Sequence, residues 1–319
     1  MEFTNMQFIG LKYKSALSTI LTVGMLSVSQ SSLANTFEIE HLPKIRHAGN
    51  ITVSQDDALT AYTVSVPRDI LAGDEDGRPD SYLYVIRGSG EPKLFVSGQG
   101  SISGLQFSPD RSVLYFKSKR EGDKNTALYA ISMAGGEAQK RFEFETGIGD
   151  YRVSNDGSTL HFVATEKSTK EDFKDKGFNA FVYEEDQRLA SLWSVSMTDE
   201  DAKATKLFDQ GHVSSFEVSP NETSMVLAVA PTNLVDDSLM KRDLVFLNIE
   251  NGEVLSTIDI PGKLGSFELS NDGQQLAFLA GTDIHDTSAG VLMIAKANTD
   301  SFTQLVTKVA LYVHPTISQ

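Results

Sequence analysis

Apolar and polar positions in this chain alternate in short runs, and the runs return in the same order five times. One phrase opens each round: an apolar residue, Ser, any residue, Asp or Asn, a turn residue, then an alternating apolar run. The first copy is Val53-Ser54-Gln55-Asp56-Asp57, leading into Leu59 to Val64. The next two are Phe107-Ser108-Pro109-Asp110-Arg111 and Val153-Ser154-Asn155-Asp156-Gly157. The last two are Val218-Ser219-Pro220-Asn221-Glu222 and Leu269-Ser270-Asn271-Asp272-Gly273. Each leads into a run rich in β-formers and free of proline, so the phrase predicts a β-hairpin. The Ser hydroxyl can bond the turn backbone, Pro presets φ, and Asp-Gly tolerates the positive φ that tight turns require.

A second apolar run follows each hairpin: Tyr82 to Ile86, Ala127 to Ile131, Ser191 to Val195, Asp243 to Leu247 and, more weakly, Gly290 to Ile294. A polar turn and one more short strand come next, as at Lys93 to Val96, Lys206 to Phe208 and Val254 to Ile258. Each round therefore holds four short strands. The repeated serines lie 54, 46, 65 and 51 residues apart. Four-stranded units recurring in this way predict an all-β chain, a β-propeller of about five blades. The expected blades are 49–100, 101–147, 148–211, 212–262 and 263–309 within a propeller region 35–309. The longest spacing has a local cause, a charged insertion from about Glu166 to Glu185. Five blades can close as a ring, but a larger ring lacking blades is the expected form. No further hairpin phrase follows the strand near Leu305 to Val309, and 310–319 read as an irregular tail. An unclosed ring leaves an exposed strand edge.

The N-terminus carries a different pattern. Lys12 and Lys14 precede an uncharged run from Ala16 to Val28, and Ser32-Leu33-Ala34 puts small residues where a signal peptidase reads them. These are the parts of a secretory signal, with cleavage expected after Ala34. The run falls short of the roughly 20 apolar residues that span a bilayer. Export to the periplasm or beyond is therefore expected, with no membrane insertion after cleavage. The 319 residues are 40% apolar and 22% charged, a globular composition. A formal charge of −15 argues against a nucleic-acid partner, which needs a basic face. The absence of cysteine excludes disulfides, zinc thiolates and a cysteine nucleophile, but not export.

Candidate chemistry is sparse. Gly88-Ser89-Gly90 and Gly100-Ser101-Ile102-Ser103-Gly104 lack the Gly-x-Ser-x-Gly spacing of a nucleophile elbow and fall in predicted turns. No catalytic residue is assigned, and the chain alone is expected to hydrolyse neither peptide nor ester. Asp74, Asp76 and Asp80 form an oxygen-rich loop. Gly77 arrives too early for a calcium-binding hand and no Glu closes it, so it reads as a solvated insertion. The six histidines show no metal-ligand spacing, and no Gly-rich phosphate loop opens a helix, so no metal or cofactor is assigned. Trp193 sits on a repeated strand and reads as core. Lys117-Ser118-Lys119-Arg120 reads as a solvated strand end.

The phrase Phe107-Ser108-Pro109-Asp110, its Asn-Asp-Gly relatives and the Leu128-Tyr129-Ala130-Ile131 strand resemble blades of two propeller groups. One is the N-terminal propeller of the prolyl oligopeptidase family, in its dipeptidyl- and acylaminoacyl-peptidase branches. The other is the propeller of the periplasmic Tol-system protein. The insertion from Lys174 to Asp186 resembles an inter-blade stretch of the peptidases. That resemblance implies that Tyr183, Glu184 and Glu185 match a Tyr-Glu-Glu motif whose carboxylates hold the substrate's amino terminus. Two carboxylates can form charge-assisted bonds to an ammonium, while a solvated acidic loop is the plainer reading. In that family the nucleophile lies in a separate α/β-hydrolase domain, which has no counterpart in this sequence. The resemblance thus implies a substrate-gating propeller, with a peptide substrate or protein partner and a separate or lost hydrolase. The Tol-system likeness implies instead a stand-alone protein-binding scaffold.

Overall fold

The structure, a computed structural model, describes residues 37–305 apart from 99, 169–176, 178–183, 185, 186, 200 and 287. The expected signal segment 1–34 and tail 310–319 lie outside the described residues, as do Tyr183 and Glu185. The described strands form five four-stranded antiparallel sheets, each a simple meander in chain order. The first holds β1 (His47–Val53), β2 (Leu59–Val66), β3 (Asp80–Arg87) and β4 (Lys93–Val96). The second holds β5 (Ile102–Phe107), β6 (Val113–Ser118), β7 (Ala127–Ser132) and β8 (Gln139–Glu143). The third holds β9 (Tyr151–Val153), β10 (Thr159–Thr165), β11 (Ala190–Ser196) and β12 (Thr205–Phe208). The fourth holds β13 (His212–Val218), β14 (Ser224–Ala230), β15 (Asp243–Asn248) and β16 (Val254–Ile258). The fifth holds β17 (Leu264–Leu269), β18 (Gln275–Ala280), β19 (Val291–Lys296) and β20 (Phe302–Gln304). These are propeller blades.

The repeated phrase builds the same turn in every sheet. The Ser hydroxyl donates to the Asp or Asn two residues on at 2.6–2.8 Å. It also accepts the N–H five residues on at 2.9–3.1 Å, where the next strand begins. Asp57, Arg111, Gly157, Glu222 and Gly273 hold φ between 54° and 73°, so the turn demands the left-handed region whether or not glycine is present. Hydrogen bonding from Ser108 and from Ser154 holds the Asp110 and Asp156 carboxyls down to about 2.

Alternate residues of each sheet face opposite neighbours, which lets every sheet share a core on both sides. Four clusters of buried residues join sheets one to two, two to three, three to four and four to five. Among the described residues no such cluster joins the fifth sheet to the first. The effect shows at one repeat position, three residues before the repeated Ser. Tyr151 and Phe216 are 2% and 1% exposed there, each packed on the preceding sheet, while Ile51 is 72% exposed.

The loops between second and third strands (67–79, 119–126, 166–189, 231–242 and 281–290) all leave the end of the sheets opposite the Ser turns. One of them contains a helix that the strand pattern did not anticipate, α1 (Val235–Met240). Its reason is local. Thr232 Oγ1 accepts the Leu234 N–H at 3.2 Å and donates to Asp237 at 2.7 Å, and Lys241 pairs with Asp237 one turn away at 2.7 Å.

Candidate functional site

The innermost strands β1, β5, β9, β13 and β17 carry a polar or charged residue two places before the repeated Ser: Thr52, Gln106, Arg152, Glu217 and Glu268. Polar side chains from these strands and their approaches lace neighbouring sheets together. Asn50 donates to the Ile102 carbonyl at 3.3 Å. Gln106 donates to the Val153 carbonyl at 2.9 Å and accepts the Val153 N–H at 3.0 Å. Asp150 accepts the Phe216 N–H at 3.2 Å, and Glu217 accepts the Leu269 N–H at 2.7 Å. Each bond satisfies a backbone group that the inner strand would otherwise leave unpaired, which is costly away from water.

At the turn end of these strands lies a cavity of about 850 Å³. Its lining includes Gln55, Gln106, Arg152, Glu217 and Asn271, so all five sheets contribute. A second cavity of about 500 Å³ adjoins it and shares Gln55, Gln106, Arg152 and Asn155. The walls are mainly hydroxyl and amide groups. Arg152 is paired with Asp150 at 3.3 Å and donates to the Tyr151 carbonyl at 2.7 Å. Glu217 is in a different condition. Burial, with the neighbouring Glu268 carboxylate, pushes it up to about 7, against the Leu269 N–H and the Arg152 charge, which favour ionisation.

His161 reaches the same cavity from β10. It is 6% exposed, burial depresses its pKa, and its Nδ1 has no hydrogen-bond partner among the described residues. Burial therefore favours the neutral imidazole, and the Nδ1 atom itself is shut away inside the fold rather than open to the cavity.

Of the residues singled out in the sequence, Glu184 lies in a turn of the 166–189 loop, at the sheet end opposite the cavity. It is exposed, has φ of 61°, and its carbonyl accepts from Gln187 at 3.2 Å. Asp74 accepts the Asp69 N–H at 2.7 Å and Asp80 faces Arg68 at 3.7 Å. Among the described residues no cluster of His, Asp and Glu is arranged to hold a metal. Trp193 is buried beside Phe162 and Phe144 and donates its Nε1–H to the Ala164 carbonyl at 3.0 Å. Sequence reasoning passed over Gln106, Arg152, Glu217 and His161. For the first three the available signal was a polar residue recurring two places before each repeated Ser.

No protein-family profile matches the chain, and no curated protein matches it. Solved structures do. A protein assigned as TolB from Agrobacterium tumefaciens aligns with a TM-score of 0.52 at 12% identity, over 82% of this chain and 81% of that one. The acylaminoacyl peptidase of Pyrococcus horikoshii aligns with a TM-score of 0.55 at 14% identity, over 80% of this chain but 39% of the peptidase. The β-propeller domain of the Trilobed protease from Pyrococcus furiosus, described as having an open velcro topology, aligns with a TM-score of 0.52 at 12% identity, over 82% and 71% of the two chains. Among the described residues no helix is long and apolar enough to cross a membrane. At these identities the likeness is one of fold, and the chain has the β-propeller architecture found in TolB and in the propeller domains of these peptidases.

Proposed function

We propose that this chain is a non-catalytic propeller scaffold that receives a peptide segment in its axial cavity, as the substrate-gating portion of an exported serine peptidase of the prolyl-oligopeptidase type. The observation that carries the reading is the cavity of about 850 Å³ at the turn end of the inner strands, lined from all five sheets by hydroxyl, amide and a few charged groups. Such walls suit an extended peptide, whose backbone offers a donor and an acceptor at every residue. Catalysis would belong to an α/β-hydrolase domain supplied separately. Glu184, on the loop at the other end of the sheets, and Tyr183 and Glu185 beside it in sequence are the residues proposed to meet a substrate amino terminus. Export follows from the signal-like segment ending at Ala34. The test is equilibrium binding of blocked, fluorescently labelled peptides to the purified chain, with Gln106→Ala as the cavity variant. Saturable binding weakened in the variant supports the reading, and no binding by any peptide refutes it.

A second reading is a stand-alone periplasmic scaffold that docks proteins. The likeness of fold to a TolB protein over 82% of this chain supports it. The coding DNA decides between the two. A reading frame downstream with a Gly-x-Ser-x-Gly elbow favours the gating role, and its absence favours the scaffold.

A further inference from the structure

We propose that the cavity between the third and fourth sheets is a subsite for a cationic side chain of a bound peptide, with Glu217 as its counter-ion and the His161–Ser194 pair as the polar wall that leaves it room. This rests on the peptide-binding reading and makes it specific. In the sheets that have a following neighbour, the residue seven after the repeated Ser and its cross-strand partner face that neighbour. The pairs are Ala61 with Val85, Tyr115 with Ala130 and Val226 with Phe246. In the fourth sheet, Val226 and Phe246 fill the core shared with the fifth. In the third sheet the same pair is His161 and Ser194, and both side chains are polar. Where Phe246 plugs the next interface, Ser194 leaves space, and the cavity extends there against Glu217, Val218 and Ile249 of the fourth sheet.

The charges then select the ligand. Arg152 is occupied by Asp150 and by the Tyr151 carbonyl. Asp156 is held by the hydroxyls of Ser154 and Ser158, and Glu222 accepts the Asn155 N–H at 2.6 Å. Glu217 has one backbone N–H, from Leu269, and a second carboxylate beside it at Glu268. Its elevated pKa is the mark of a buried carboxylate whose charge is under-compensated. His161 and Ser194 add neutral polar side chains to the wall of the same cavity. An ammonium suits this wall, through a charge-assisted bond to Glu217.

The test compares two probes on the full chain by NMR titration at pH 8: acetyl-Gly-Gly-Lys-Gly-Gly-amide and its norleucine counterpart, which keeps the carbon chain and loses the charge. The lysine peptide should bind about ten-fold more tightly, the gain of one charge-assisted hydrogen bond. Glu217→Gln should remove that preference. His161→Phe, which imitates the plug of the fourth sheet, should block the lysine peptide while leaving the spectrum of a folded chain. Equal binding of both peptides overturns the subsite while the peptide-binding reading stands. A lysine preference that survives Glu217→Gln overturns the assignment of the counter-ion. Binding of neither peptide overturns the subsite together with the reading it rests on.

Discussion

Replacing Glu217 by Gln should stabilise the fold at pH 8 and change it little at pH 5. In the unfolded chain this carboxyl ionises near its ordinary 4.5, whereas in the fold burial and Glu268 raise it to about 7. Well below pH 4.5 both states are neutral and burial carries no charge penalty. Above pH 7 the fold must hold a carboxylate that the unfolded chain leaves in water. The stability associated with this group is therefore present at low pH and lost as pH rises through about 7. A shift of one unit corresponds to about 1.4 kcal/mol, so the interval sets an upper bound of roughly 3.5 kcal/mol. Glu217 is half-buried, and solvent screening brings the expectation to about 2 kcal/mol. Gln keeps a carbonyl for the Leu269 N–H and removes the charge. Thermal unfolding followed by Trp193 fluorescence should show the variant melting about 4–8 °C higher at pH 8, with the gap nearly closed at pH 5. The same shift at both pH values, or a lower Tm at pH 8, would refute the reasoning. A residue that destabilises its own fold when ionised is the expected cost of a binding site, and a bound cation would offset it.

Other substitutions probe the turns and connections. Ser219 is buried, bonds Asn221 and the Ser224 carbonyl, and accepts the Ser224 N–H, so Ser219→Ala should cost about 1–2 kcal/mol, read as a lower urea midpoint. Exposed Asp57 holds φ of 59°; Asp57→Gly should raise the urea midpoint slightly, by roughly 0.5 kcal/mol, and Asp57→Val should lower it by about 1 kcal/mol or more. A Cβ at Gly262 would lie 2.3 Å from the Asp283 carbonyl oxygen, so Gly262→Ala forces backbone apart and should cost about 2 kcal/mol in chemical denaturation. The purified chain should release no product from peptide or ester substrates, and turnover blocked by a serine-directed phosphonate would contradict the non-catalytic reading.

What the sequence by itself determined is what local chemistry encodes. The Ser-x-Asp turn closes through bonds spanning two and five residues, so five contiguous phrases were enough to announce five hairpins. Period-two runs announced the strands, and their recurrence announced the blades. Even helix α1 is local, set by Thr232 and Asp237, though six residues among strands gave little pattern to read. The cavity is another matter. Arg152 and Glu217 lie far apart in sequence, and β9 and β13 meet at the axis only after whole sheets have stacked. His161 in the sequence is one polar residue in an apolar strand; only strand pairing sets Ser194 opposite it and leaves space where Phe246 fills the next interface. Glu184 was singled out through its likeness to a peptidase motif, and contiguous sequence did not show that it lies on a loop at the end of the sheets opposite the cavity. Hairpins form from neighbours along the chain, so their rules are written there, whereas a cavity is the space between neighbours in three dimensions and only their packing decides its shape.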